Sequence, residues 1–236
     1  LVEANGAARA GGPHFAAFVS HAKADAAMEA RYLQTELETA LEAPIFLDSD
    51  NLRDLRDMPD HVRDSGAVVL LQSRHVLERP FCVIELLTAI DEGVPIVGLA
   101  MCQCGATGYQ FEGAANFLKH FDTLIQDANP YAVDSLREFG IVDLAEVAWK
   151  LSSTIPKVLS MPFNPSASRM MLAAMRHDAC ESIRHARAIK LPKWDDVREQ
   201  WLQERAAEYT ASRSSHRAAI CSARAGGPTM YASSQM

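Results

Sequence analysis

Three stretches of the chain are apolar almost without interruption, and each is short. They are His14–Ser20, Gly66–Ser73 (with Ala67-Val68-Val69-Leu70-Leu71 inside it) and Val94–Ala100. A fourth, Pro44–Asp48, is shorter still. A strand wetted on one face alternates apolar and polar residues, whereas a strand covered on both faces does not. These runs therefore predict a parallel sheet with helices on both sides.

The period changes between them. Residues 25–42 place Met28, Tyr32, Leu33, Leu37 and Leu41 along one helical stripe, and residues 81–92 do the same with Cys82, Val83, Leu86, Leu87 and Ile90. Strand and helix in alternation imply a doubly wound α/β sheet with right-handed crossovers. From Phe111 onward the pattern is almost wholly helical. Asn129-Pro130 reads as a helix start and Gly140 as a stop. Asp143 with Glu146 three residues later is a capping-box variant, opening a helix with Leu144, Val147, Ala148, Leu151 and Ile155 inward. No clear fifth strand follows Cys104, because Ile141-Val142 is too short. Pro162 and Pro165 break the chain, and helical stretches are expected at 166–190 and 194–210. Residues 1–13 and 211–236 lack apolar periodicity and are expected to be disordered. The expected division is a domain at 14–162 and a helical extension at 163–210.

Composition narrows the function classes. Hydrophobic residues make up 48% of the chain, enough for a sizeable core. The 23 basic against 30 acidic residues give a net charge of −7, which argues against a nucleic-acid-binding module. Five cysteines at irregular spacing do not form a secreted disulfide framework, so a reducing, cytoplasmic setting is expected. No apolar run is long enough to span a membrane. The chain opens on Leu1 rather than Met, so a longer parent protein is expected.

In an open α/β sheet, ligands bind beyond the carboxyl ends of the strands, where the strand order reverses. The segments to search are therefore Ser20–Asp25, Asp48–Asp57 and Ser73–Pro80, the last leading into Phe81-Cys82-Val83-Ile84-Glu85-Leu86. Cys102-Gln103-Cys104 has too few partners for a zinc site.

These segments carry a family resemblance. Phe18-Val19-Ser20-His21 with Asp25 resembles the opening "F-x-S-[YH]-x-x-x-D" of Toll/interleukin receptor (TIR) domains. Phe46-Leu47-Asp48 resembles their second strand, Leu70-Leu71-Gln72-Ser73 their third, and Phe81-Cys82-Val83-Ile84-Glu85-Leu86 the "W-C-x-x-E-L" signature that follows. The resemblance covers residues 14–110 well and 111–162 less well. It implies a flavodoxin-like sheet of order 2-1-3-4-5 with its cleft between the first and third strands. It also implies one of two activities: hydrolysis of NAD+ to nicotinamide and linear or cyclic ADP-ribose, or non-enzymatic signalling through assembly with other TIR domains. On this resemblance Glu85 is the catalytic residue, and NAD+ is a substrate rather than a cofactor. Ser20, His21, Lys23, Asp48, Ser73 and Phe81 then form the binding set. Arg53 and Arg56 fall on the loop through which subunits meet.

A single carboxylate suits this chemistry. Nicotinamide leaves as a neutral group from a cationic N-glycosidic bond, so no general acid has to protonate it. The transition state requires stabilisation of a ribosyl oxocarbenium ion, which a fixed carboxylate supplies. Phe81 lies four residues before Glu85, on one helical stripe with Thr88, where its ring could pack on ribose or nicotinamide. Each residue also has a plainer reading. A carboxylate early in a helix is favoured by the dipole. Ser20 and Ser73 could satisfy backbone groups at strand ends. His21 and Lys23 could meet phosphates or lie in a solvated loop, and Arg53 and Arg56 could sit on a charged surface loop. Two departures from the family stand out: Phe81 replaces the usual Trp, and the assembly loop lacks the glycine many members carry.

Overall fold

In the computed structural model, residues 12–47, 54–102 and 108–188 are described, together with Arg198, Glu199 and Gln203. The chain divides into two units, Leu1–Trp194 and Asp195–Met236, and every element below belongs to the first. Asp48, Arg53, Cys104 and the segment 211–236 lie outside the described residues, as do residues 1–11 and most of the expected 194–210 helix.

Five parallel strands form one sheet: β1 (Ala17–Ser20), β2 (Ile45–Leu47), β3 (Val68–Gln72), β4 (Ile96–Met101) and β5 (Ser160–Phe163). Their order is β2-β1-β3-β4-β5, the flavodoxin-like arrangement. Among the described residues eight α-helices surround it: α1 (Lys23–Leu41), α2 (Met58–Arg63), α3 (Pro80–Glu92), α4 (Phe111–Lys119), α5 (Phe121–Ala128), α6 (Ala132–Glu138), α7 (Leu144–Thr154) and α8 (Arg169–Ala188).

The uninterrupted apolar runs are explained by two separate cores. Phe18, Phe46, Val68 and Leu70 face the layer that holds α2, α3 and α5–α7. Their chain neighbours Val19, Leu47, Val69 and Leu71 face α1 and α8, together with Val97, Leu99 and Met101. Because side chains alternate along a strand, both faces must be apolar when both are covered.

Local chemistry sets the helix ends. Pro80 occupies the first turn of α3, where its missing N–H costs nothing, and Gly93 closes the helix at φ 69°. Asp143 caps α7 as its spacing predicts, accepting from the N–H groups of Ala145 and Glu146 at 3.0 and 3.1 Å. Val147, Ala148, Leu151 and Ile155 are buried as expected.

The fifth strand corrects one expectation. Ser160-Met161-Pro162-Phe163, where proline was expected only to break the chain, pairs with Gly98-Leu99-Ala100-Met101. β5 is an edge strand, so Pro162 can present its missing donor away from the ladder. The C-terminal helix is present as α8 and covers the sheet beside α1. It buries Ala179, Cys180 and Ile183, pairs Arg176 with Glu36, and gives an Arg184 guanidinium hydrogen bond to the Ala40 carbonyl at 3.1 Å.

Candidate functional site

The strand order reverses between β1 and β3, so the crevice at their carboxyl ends is bounded by Ser20-His21-Ala22 and by the segment from Ser73 to Arg79. α1 leaves this edge on one face of the sheet and α3 leaves it on the other. Two contacts tie the walls together. Asp25, in the first turn of α1, accepts the Ser73 hydroxyl at 2.9 Å and the His75 N–H at 3.0 Å through one carboxylate oxygen. Its other oxygen lies 3.4 Å from His75 Nδ1. On the opposite face, Cys82 Sγ donates to the His21 carbonyl at 3.2 Å, which docks the start of α3 against the end of β1.

Electrostatics favours the clasp. Burial pushes the Asp25 carboxyl up, but the hydrogen bonds from His75 and Ser73 and the nearby imidazole outweigh it, holding the group below the ordinary carboxylate value.

Each predicted residue can now be placed. Ser20 closes β1 with 0% exposure, on the side of the strand shared with Phe18 and therefore towards α3. Its hydroxyl is buried without a hydrogen-bond partner, so the reading in which it caps strand-end backbone groups is not the one found. His21 is buried, which corrects the solvated-loop reading for it, whereas Lys23 is exposed at the first residue of α1. Ser73 is buried, and its hydroxyl proton is committed to Asp25. Glu85 is 4% exposed, one helical turn beyond Cys82, on the side of α3 that Cys82 turns to β1. Phe81 is half-buried and meets Phe139 edge to face at 6.1 Å. Thr88, on the same stripe, gives its hydroxyl to the Ile84 carbonyl at 2.8 Å.

Arg56 lies apart from this group. Its side chain is 85% exposed in the single turn Leu55–Asp57, where its guanidinium grips Asp54 at 2.6 Å. That contact holds the Asp54 carboxyl down at about 2.

Ser20, His21 and Ser73 thus stand at the carboxyl ends of β1 and β3 and Glu85 is buried in α3, while Phe81 is engaged in packing and Arg56 is on the surface. Sequence reasoning did not give Asp25, His75 and Cys82 a part in the site. Their partners are 48, 50 and 61 residues away, so no local spacing marks them, although Asp25 does stand in the opening motif.

The crevice differs from a cavity along the second half of α3, a space of about 370 Å³ lined by Thr88, Asp91, Val147 and Lys150 among others. None of the predicted site residues borders it. Among the described residues no group of three or more His, Cys, Asp and Glu side chains is arranged to hold a metal ion, and no helix is long and apolar enough to cross a membrane. The chain matches no protein-family model, and no curated protein matches it.

Proposed function

We propose that this chain is a TIR-type NAD+ glycohydrolase that cleaves the nicotinamide–ribose bond with Glu85 as the catalytic carboxylate. The observation that carries the reading is the burial of Glu85, an acidic side chain of α3 one turn beyond Cys82, whose thiol docks on the His21 carbonyl at the end of β1, next to where the order of a 2-1-3-4-5 sheet reverses. In the reaction the glycosidic bond breaks with its electron pair leaving on nicotinamide. The carboxylate opposes the positive charge on the ribosyl carbon, and water completes ADP-ribose with release of a proton. Ser20, with its uncommitted buried hydroxyl, is the natural hydrogen-bond donor to the substrate. NAD+ is the substrate, and the chemistry asks for no resident metal. A cytoplasmic setting and contacts with other TIR domains belong to the same reading.

A second reading is a non-enzymatic module that signals by homotypic assembly. The low exposure of Glu85 favours it, since a carboxylate so covered must be uncovered before substrate can reach it. Nicotinamide release from NAD+ by the purified chain separates the two. The enzyme should release it, and Glu85→Gln, which keeps the shape and removes the charge, should lose about 3 kcal/mol of transition-state stabilisation, about a hundredfold in rate. Near wild-type turnover in that variant would remove Glu85 from the catalytic role, and no turnover in the wild type would favour the assembly module.

A further inference from the structure

A second cavity lies on the α3 side of the sheet, over β3, β4 and β5 and beneath α4. Its volume is about 270 Å³. The walls are mainly apolar, formed by Leu118 and Ala115 of α4 and by Ile155, Pro156 and Val158 ahead of β5. Tyr109 and Phe111, whose rings meet edge to face at 5.0 Å, stand on one side, with Phe111 largely exposed. None of Ser20, His21, Ser73, Phe81 and Glu85 borders this space.

The polar side chain at its base is Gln72, the last residue of β3. Alternation along the strand turns it to the same face as Val68 and Leu70, and it is 1% exposed. Its amide oxygen is buried with no hydrogen-bond partner. An orphaned acceptor of this kind costs free energy unless a donor meets it, so it marks a position where a ligand N–H gains more than it would in water. The space there depends on Gly98 of β4. A Cβ on Gly98 would stand 2.6 Å from Ser160 Oγ and 3.2 Å from Gln72 Oε1. A residue without a side chain is what lets Gln72 and Ser160 approach from either side.

The walls also set the charge of the guest. Burial pushes the Tyr109 phenol up to about 12, with the Gln72 amide opposing that shift, so the ring remains uncharged at neutral pH. Among the described residues the one ionisable carboxylate on the border, Glu112, is exposed at the rim and disfavours an anion.

We propose that this cavity is a binding site for a small, uncharged, planar aromatic molecule carrying one N–H donor, which the Gln72 carbonyl accepts. The volume falls just below the range of drug-sized pockets and suits one or two fused rings. The site is independent of the NAD+ reading, because it shares no residue with the crevice.

Indole and benzofuran test it, since the two have nearly the same shape and differ by an N–H against an oxygen. Binding of each to the full chain is followed by calorimetry and by ligand-observed NMR. Indole should bind saturably and about tenfold more tightly than benzofuran. In Gln72→Leu the preference should vanish. In Ala115→Leu, which fills the space from the helix side with a good helix former, indole should no longer bind. Equal affinity of the two probes for the wild type, no saturable binding of indole at millimolar concentration, or undiminished binding in Ala115→Leu would each overturn the proposal. The comparison of probes on the wild type decides the matter even if Gln72→Leu does not fold.

Discussion

The carboxylate of Asp25 holds the hydroxyl of Ser73 at 2.9 Å across a separation of 48 residues, and in doing so closes the crevice between β1 and β3. Asp25→Ala leaves a buried hydroxyl and the His75 N–H without their acceptor, and should destabilise the domain by about 1–3 kcal/mol. The same contact predicts a pH dependence. A carboxyl held below its ordinary value stabilises fully above the unfolded pKa, near 3.8, and loses that contribution as pH falls through the lower folded value. Asp25→Asn, which cannot titrate, should therefore show a flatter fall in Tm below about pH 4 than the wild type. Parallel acid limbs for the two proteins would show that Asp25 does not contribute in this way.

The Lys150 side chain is 7% exposed, with its ammonium 2.6 Å from Asp91 and 2.9 Å from Glu146. Burial raises the Asp91 carboxyl, and Lys150 works against that rise. Lys150→Ala leaves two carboxylates facing one another. The expected cost is about 1–3 kcal/mol, below that of a fully buried pair because both acids are partly wetted. The deficit should shrink as pH falls from 7 to 4, since Asp91, which burial already raises, then takes up a proton. Urea midpoints at the two pH values measure it, and an unchanged deficit would argue against the charge explanation.

Gly98 and Ser160 should be coupled. Gly98→Ala forces a methyl against Ser160 Oγ at 2.6 Å and Ser160 Cα at 3.2 Å, an overpacking expected to cost about 1–3 kcal/mol. Ser160→Ala removes the nearer of these atoms and should restore part of the loss. A double-mutant cycle reads the coupling directly, and strictly additive effects would mean that the strand relaxes by another route.

Arg53 and Arg56 test the assembly reading. If the chain works through self-association, specific activity should rise with protein concentration, and reversal of both residues to Glu should abolish that rise while leaving the Tm within a few degrees. Arg56 and Asp54 form an exposed pair, so the reversal itself perturbs the fold little. Turnover per milligram across a hundredfold dilution, with light scattering alongside, provides the measurement. Constant activity from a protein that is monomeric throughout would exclude assembly-dependent catalysis.

How much of this was legible in advance follows from the range of the forces involved. β1, β3 and β4 announce themselves because burial on both faces requires every residue of a short segment to be apolar. The Asp143 cap and the Pro80 start of α3 are equally plain, because both are contacts within a few residues. β5 is not legible, since four residues with a proline among them carry no strand signal of their own. Pairing with β4 and a position at the sheet edge decide it. α8 is readable as a helix, but its place beside α1, covering Val97, Leu99 and Met101, is set by the twist and order of the sheet.

The same division runs through the candidate site. Ser20, His21, Ser73 and Glu85 could be singled out because parallel sheets bind ligands beyond their carboxyl ends and because their motifs stand in order along the chain. Asp25 as a clasp, the Cys82–His21 contact and the cavity over Gly98 depend on groups brought together from distant parts of the chain. Sequence by itself determined the helices and every strand but β5, since those are settled by local propensity and by the periodicity of burial. Tertiary structure alone decided which polar atoms meet and which, like the Gln72 carbonyl, are left without a partner, because hydrogen bonding inside a core depends on distances that no one-dimensional spacing encodes.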